Sequence, residues 1–185
     1  MGFSDSWAAV RGCTAEAALE RLGLRVGGDE RSRRRIEMGE LPGGWVLFVA
    51  DDYDLAFKTW GPTLAPLGEV VCCGEDEHVM CSEARGYIGG VEVWRVFRDG
   101  ELDPERRVEV VGEPPPPFAA IREELFAGQA KEVEAVDHIF DIPPRLAQAI
   151  CGYRLGEDPP GEVLFVDVSL SRGARVGWLQ RLFGG

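Results

Sequence analysis

The densest set of possible metal ligands lies between residues 72 and 81. Cys73, His78 and Cys81 carry the thiol and imidazole groups that zinc prefers. Their spacing is not that of a structural zinc site, in which paired ligands lie a few residues apart on one tight turn. Neighbouring residues of a strand also point to opposite faces, so Cys72 and Cys73 would not reach the same ion. We interpret these cysteines as core residues of a hairpin and expect no metal and no other cofactor.

Three aspartates, Asp51, Asp52 and Asp54, follow the unbroken apolar run 45–50. Carboxylates at the end of a buried strand can hold Mg²⁺, as they do in phosphoryl-transfer sites. The chain, however, has no glycine-rich phosphate loop with its lysine. Helix capping accounts for Asp52 or Asp54, and we predict that the three carboxylates together form part of a partner-binding surface.

Nucleophilic catalysis has little support in the sequence. The chain has two histidines, His78 and His138, and it has neither a G-x-S-x-G nor an H-E-x-x-H motif. A dyad of Cys81 with His78, or of a cysteine with His138, stays open because distant residues can meet in space. A reactive thiol needs positive neighbours, whereas residues 75–77 are all acidic.

The C-terminal residues 172–185 differ from the rest of the chain. They are basic, and apolar residues including Trp178, Leu182 and Phe183 are spaced to line one side of a short helix. We expect this segment to dock on the protein's own acidic core or on a partner. A membrane is the less favoured alternative, because the acidic body would repel anionic lipid.

The charge of the chain is unevenly distributed. The formal net charge is -12, and residues 37–168 hold ten basic against 27 acidic residues. Nucleic-acid binding depends on Lys and Arg contacts with phosphates, so this composition argues against it. It suits either plain solubility or a basic protein partner.

Length and composition indicate a cytoplasmic globular protein with one domain, residues 1–185. A proline-rich spacer, 113–117, would join halves 1–112 and 118–185. The five cysteines follow no disulfide framework. The N-terminus does not have the pattern of a targeting segment, and no apolar run approaches the ~20 residues that span a bilayer.

Hydrophobic patterning predicts an α+β fold with a mainly antiparallel sheet and a few packed short helices. Thr14 is the predicted N-cap of a helix over 15–22, which Gly23 ends. The run 45–50 is typical of a central strand covered on both faces. Further predicted strands span 6–11, 69–73, 78–82, 91–97, 107–111, 136–142 and 163–167. Further predicted helices span 118–127 and 145–151, with a short one that ends at Trp60.

The two ends of the chain resemble each other. The segment G-W-V-L-F-V at 44–49 recurs as G-E-V-L-F-V at 161–166, and each copy follows a Pro-Gly turn. Each is preceded by a predicted strand and a helix that ends at glycine. This order predicts a pseudo-repeat of strand-helix-strand halves, although two buried strands also look alike by composition alone.

Several segments carry a resemblance to a known family: W-A-A-V-R-G at 7–12, the helix over 15–23, L-P-G-G-W at 41–45, E-H-V-M at 77–80 and F-D-I-P at 140–143. They resemble a family of uncharacterised bacterial proteins over most of the chain. That family has no established activity, so the resemblance implies no catalytic residue. More loosely, the chain is similar to bacterial immunity and accessory proteins that act by binding.

These observations favour an interaction protein that binds another protein through an acidic surface. The alternatives are a small metal-dependent or thiol-using enzyme, which would use the aspartates or the 78–81 segment, and a small-ligand sensor with a pocket between the two halves.

Overall fold

The structure, a computed structural model, describes residues 2–28, 35–100, 108–131, 136–159 and 161–171. Its nine described strands, β1 to β9 in chain order, are Ser4–Arg11, Leu24–Val26, Ile36–Leu41, Trp45–Ala50, Glu69–Asp76, Cys81–Ile88, Val91–Asp99, Glu109–Gly112 and Val166–Leu170. The four described α-helices, α1 to α4, are Ala15–Leu22, Gly61–Leu64, Pro117–Gln129 and Ile142–Cys151. A π-helical turn (Ala56–Trp60) and a 3-10 turn (Ala65–Leu67) flank α2, and a 3-10 turn (His138–Asp141) leads into α4.

All described strands belong to one antiparallel sheet with the order β2-β9-β3-β4-β1-β5-β6-β7-β8. Strand β1 lies near the middle and pairs with β4 on one side and β5 on the other. The sheet draws on both predicted halves of the chain, since β9 pairs with β2 and β3. The α+β class and the mainly antiparallel sheet are therefore confirmed.

Helices cover the central strands on both faces. On one face, which we call face A, Ala8, Phe48 and Cys72 pack against α1 and the helical segment 55–67. On the other, face B, Trp7, Leu47 and Cys73 pack in a second core with α3 and α4. This double covering explains why the apolar run in β4 is unbroken, as predicted.

Local signals in the sequence place α1 correctly. The Thr14 side chain accepts a hydrogen bond from the Ala17 N–H, and Gly23 ends the helix in the left-handed conformation (φ 67°). Gly152 ends α4 in the same left-handed conformation, with a φ of 85°. Both helix ends follow from residue type alone.

Two predicted strands are wrong. Residues 77–80 form a turn, in which the Asp76 carboxylate accepts a hydrogen bond from the His78 N–H at 2.9 Å, and β6 begins only at Cys81. The predicted strand 136–142 is a 3-10 turn and the start of α4. There the Asp137 carboxylate accepts hydrogen bonds from the Ile139 and Phe140 N–H groups and caps the turn.

The second correction bears on the predicted pseudo-repeat. The unit near the C-terminus has a helical turn where its first strand was predicted, and β9 begins only at Val166. Val163 and Phe165 lie before that strand and pack in the face B core. The segments 44–49 and 161–166 therefore differ in structure, since 45–50 is a buried strand whereas Leu164 in the second segment is 81% exposed.

The double covering predicts that adjacent residues of β4 are equally sensitive to truncation. Leu47→Ala and Phe48→Ala, which empty opposite cores, should each lower the free energy of unfolding by about 2–5 kcal/mol in chemical denaturation. Val111→Ala on the exposed strand β8 is the control and should change it by less than about 0.5 kcal/mol. A neutral result for either β4 variant would contradict the two-sided core.

Candidate functional site: a buried carboxylate on an acidic face

Glu75 is the described residue whose environment is hardest to explain by folding alone. It lies in β5 two residues beyond Cys73, so strand alternation places it on face B. Only 3% of its surface is exposed. Its side chain makes no hydrogen bond and no ion pair with the described residues, and its Oε1 atom is fully enclosed. A buried carboxylate in this state carries a desolvation cost, which the nearby charge of Arg154 offsets only in part.

The other buried charged side chains of the described residues form ion pairs. Glu83, also buried, accepts a hydrogen bond from Arg85 Nε at 2.6 Å and lies 3.6 Å from Arg95 Nε. Arg98 is almost fully enclosed and donates to Asp137 Oδ2 at 2.9 Å. These pairs are what burial of charge normally requires. Glu75 is therefore an exception within its own protein.

Further acidic groups surround Glu75. Asp5 is its register partner on β1, and both Asp5 and Asp141 lie close enough to raise the pKa of the Glu75 carboxyl. Arg154 lies close enough to lower the pKa of Glu75, but it donates to Asp141 Oδ1 at 2.6 Å, lies 3.5 Å from Glu157 Oε1 and forms no ion pair with Glu75. We call Asp5, Asp51, Glu75 and Asp141 the acidic site.

The pKa of the Glu75 carboxyl is raised to about 7, chiefly by burial. Arg154 opposes this shift, whereas the carboxylates of Asp141, Glu77 and Asp5 contribute to it. The pKa of Asp5 is raised as well, first by burial and then by Asp51. The Glu75 carboxyl is therefore partly protonated at neutral pH.

Aromatic side chains form the floor next to Glu75. The Trp7 ring packs edge-on against Tyr153, with ring centroids 5.4 Å apart, and Tyr153 contacts Phe165 at 6.2 Å. The Trp7 Nε1–H is enclosed and, within the described residues, has no acceptor. These rings lie on the same face as Glu75 and contribute to its burial, which leaves only 3% of its surface exposed.

The three predicted aspartates do not act as one group. Asp51 belongs to the acidic site, and its Oδ1 accepts a hydrogen bond from the Arg35 N–H at 3.0 Å. Asp52 Oδ1 accepts from the Asp54 N–H at 3.0 Å and so stabilises a turn, but the N-cap of the following helical segment is Leu55, without a side-chain hydrogen bond, so the predicted capping by Asp52 or Asp54 is wrong. Asp54 forms an ion pair of 2.6 Å with Lys58 one helical turn later. Their role in partner binding stays a prediction.

The candidate zinc ligands do not come together. Cys73 is buried in the face B core, whereas the β5–β6 register places Cys81 on face A. One ion cannot reach thiols on opposite faces of a sheet. His78 lies on the exposed turn between them. Within the described ranges, no three His, Cys, Asp or Glu side chains are arranged to hold a metal ion.

None of the cysteine thiols is tuned for nucleophilic attack. Burial raises the pKa of Cys81 to about 11 and that of Cys151 to about 12. The pKa values of Cys13, Cys72 and Cys73 are raised by burial as well. The thiolate fraction at neutral pH is therefore small at every cysteine.

The predicted contact residues Trp178, Leu182 and Phe183 lie outside the described residues. In the part of the chain that is described, no helix combines the length and apolarity needed to cross a bilayer.

Sequence reasoning missed Glu75 because the predicted strand 69–73 stops three residues short of the observed end of β5, Asp76. The signal was present in the alternation of Val71 and Cys73, which continues to Glu75. The pKa of Glu75 depends first on burial and then on Arg154, which lowers it, and Asp141, which raises it. Both residues are more than 60 positions away in sequence, and no local pattern shows that proximity.

Comparisons of this chain with protein-family models, with curated proteins and with solved structures found no match. The resemblance to a family of uncharacterised bacterial proteins therefore stays a prediction, and the acidic site has to be interpreted from its own chemistry.

The raised pKa of Glu75 predicts a specific pH dependence of stability. The folded protein holds the Glu75 proton up to a pKa of about 7, whereas the unfolded chain releases it near the ordinary glutamate pKa of 4.5. Because the unfolded state binds fewer protons between these values, Glu75 lowers stability as the pH rises.

Glu75→Gln removes this titration. Relative to the wild type, we expect the variant to gain about 3 kcal/mol in the free energy of unfolding between pH 4 and pH 8. Urea denaturation across that range measures the difference, and Glu16→Gln on the exposed surface of α1 is the control. A difference that does not change with pH would show that Glu75 has an ordinary pKa.

Proposed function

We propose that this protein acts in the cytoplasm by binding another protein and that the acidic site receives a cationic side chain of that partner. The observation that carries the proposal is Glu75, a carboxylate that is 3% exposed and has no hydrogen bond or ion pair in the described structure. A lysine ammonium or arginine guanidinium would supply the missing positive charge and the missing donor.

The geometry suits a partner that approaches from solvent. Asp51 is exposed and Asp5 is partly exposed, so negative charge extends from Glu75 to the surface. Surface carboxylates speed the encounter with a basic protein, and a desolvated carboxylate behind them strengthens the contact once it forms. The net charge of -12 supports the same choice of partner.

The chemistry of the site also favours binding over catalysis by metal or thiol. Candidate ligands lie on opposite faces of the sheet, and the thiol pKa values are raised. A membrane or a nucleic acid would present negative charge to a negative surface, which disfavours both as partners. A bacterial immunity or accessory role is one form that such binding would take.

Affinity capture with matched baits tests the proposal. Wild-type protein, Glu75→Gln and the control Glu16→Gln, each checked by circular dichroism, are immobilised and exposed to native lysate at pH 8, at low and at physiological salt. We expect wild type and Glu16→Gln to retain the same basic protein, and Glu75→Gln to retain about tenfold less of it.

Two results would count against the proposal. One is that no specific protein is retained at either salt concentration. The other is that Glu75→Gln and Glu16→Gln retain the same protein equally, which would move the binding surface away from the acidic site.

A further inference from the structure

Strand β8 forms one edge of the sheet and presents apolar residues to solvent. It is paired only with β7, and all four of its residues, Glu109–Gly112, are exposed. Val110 and Val111 have 42% and 56% of their surface exposed. Within the described ranges, no residue hydrogen-bonds to the outer side of β8. An edge of this kind is a template for one more strand.

Apolar surface next to β8 extends this edge. Ile88 and Val91, at the tip of the β6–β7 hairpin, are more than half exposed. Natural edge strands are usually protected by lysine, by an inward-pointing charge or by a bulge. The centre of β8, Val110 and Val111, has no such charge or bulge. Among the described residues, the features that oppose pairing with another chain are the short length of β8 and the glutamates at its ends.

A groove of about 510 Å³ lies beside the end of β8. Val71, Trp94, Ile150 and Pro115 line it, with Glu113 at its border. Trp94 is the register partner of Gly112. Gly112 also lines the groove, so the groove reaches the edge of the sheet. A residue of an added strand next to Gly112 would therefore place its side chain over Trp94.

The glycine at position 112 is required by the backbone. Its φ is +73°, and a Cβ atom there would lie 2.1 Å from the carbonyl oxygen of Val93. The backbone therefore requires glycine at the point where the groove meets the edge of the sheet. For the same reason, a substitution of Gly112 would disturb the strand and would not be a clean test.

The charges at the ends of β8 indicate which kind of strand would pair with it. Glu109 begins the strand and Glu113 follows it, and neither carboxylate forms an ion pair within the described residues. Antiparallel pairing of β8 with a second copy would bring Glu109 of each chain near Gly112 and Glu113 of the other. Like charges at such positions oppose self-pairing, whereas lysine or arginine at the ends of an incoming strand would be attracted.

We infer that β8 is a docking edge for an extended segment of a partner protein, with a basic residue near each end and an apolar side chain that enters the groove. The backbone hydrogen bonds of the added strand supply affinity, and the groove with its flanking glutamates supplies selectivity. This inference does not depend on the acidic site around Glu75, which lies on β1 and β5 nearer the centre of the sheet.

A library of labelled seven-residue peptides tests the inference. Each peptide has lysine at both ends and alternating threonine and apolar residues between them, and a second library has glutamate in place of lysine. Binding is measured by fluorescence anisotropy, and the site is located by hydrogen exchange of the Glu109–Gly112 amides. We expect lysine-flanked members to bind, to protect these amides and to exceed their glutamate counterparts by about tenfold in affinity.

Matched charge variants distinguish binding at β8 from attraction to the overall negative charge of the protein. Glu109→Lys combined with Glu113→Lys should weaken binding of the lysine peptides about tenfold, because two attractions become repulsions. Glu16→Lys combined with Glu20→Lys on α1 changes the net charge by the same amount and should leave binding unchanged. A loss of binding in Glu75→Gln alone would assign the peptides to the acidic site instead.

Three outcomes would overturn the inference. They are equal affinity for the two libraries, protection that falls outside β8, and the absence of any binding member at millimolar peptide concentration. Concentration-dependent dimers in sedimentation, abolished by Val111→Lys, would show that a second copy of the chain occupies the edge.

Discussion

The central strands β1, β4 and β5 are packed against helices on both faces, and the rest of the structure depends on this double covering. An antiparallel sheet commonly leaves one face to water and alternates apolar with polar residues. Here the strands read as unbroken apolar runs because α1 and the segment 55–67 cover face A while α3 and α4 cover face B. Polar residues that fall on these strands beneath the helices are buried with them, as Glu75 is.

Three polar residues on face B show the consequence. The Ser82 hydroxyl donates to the Phe140 carbonyl oxygen at 2.6 Å, and Arg98 pairs with Asp137. Both partners belong to the 3-10 turn that leads into α4 or to its cap, so this turn satisfies the strands beneath it. Glu75 lies in the same layer without such a partner. A protein that pairs its other buried charges but leaves this one unpaired gives up stability at one place, which is typical of a functional site.

The elements that the sequence predicts well are those set by local chemistry. Thr14 and Gly23 define α1, and Gly152 ends α4 in the left-handed conformation. The predictions fail where an apolar run has two possible structures. Residues 136–142 were expected as a strand, but Asp137 caps a helical turn there, and the burial of Ile139 and Phe140 suits either structure. The acidic site escaped prediction for a different reason, since it joins β1, β5 and the segment around α4 and therefore depends on tertiary contacts.

The central claim is that Glu75 is a buried carboxylate with no direct ion pair, whose burial Arg154 compensates only in part. Carbon-13 NMR of the side-chain carboxyl groups, assigned by comparison with Glu75→Gln, measures its titration directly. We expect a midpoint near pH 7 for Glu75. A midpoint near the ordinary glutamate value of 4.5 would show that the carboxylate is solvated or paired, and it would remove the physical basis for a cation-binding acidic site.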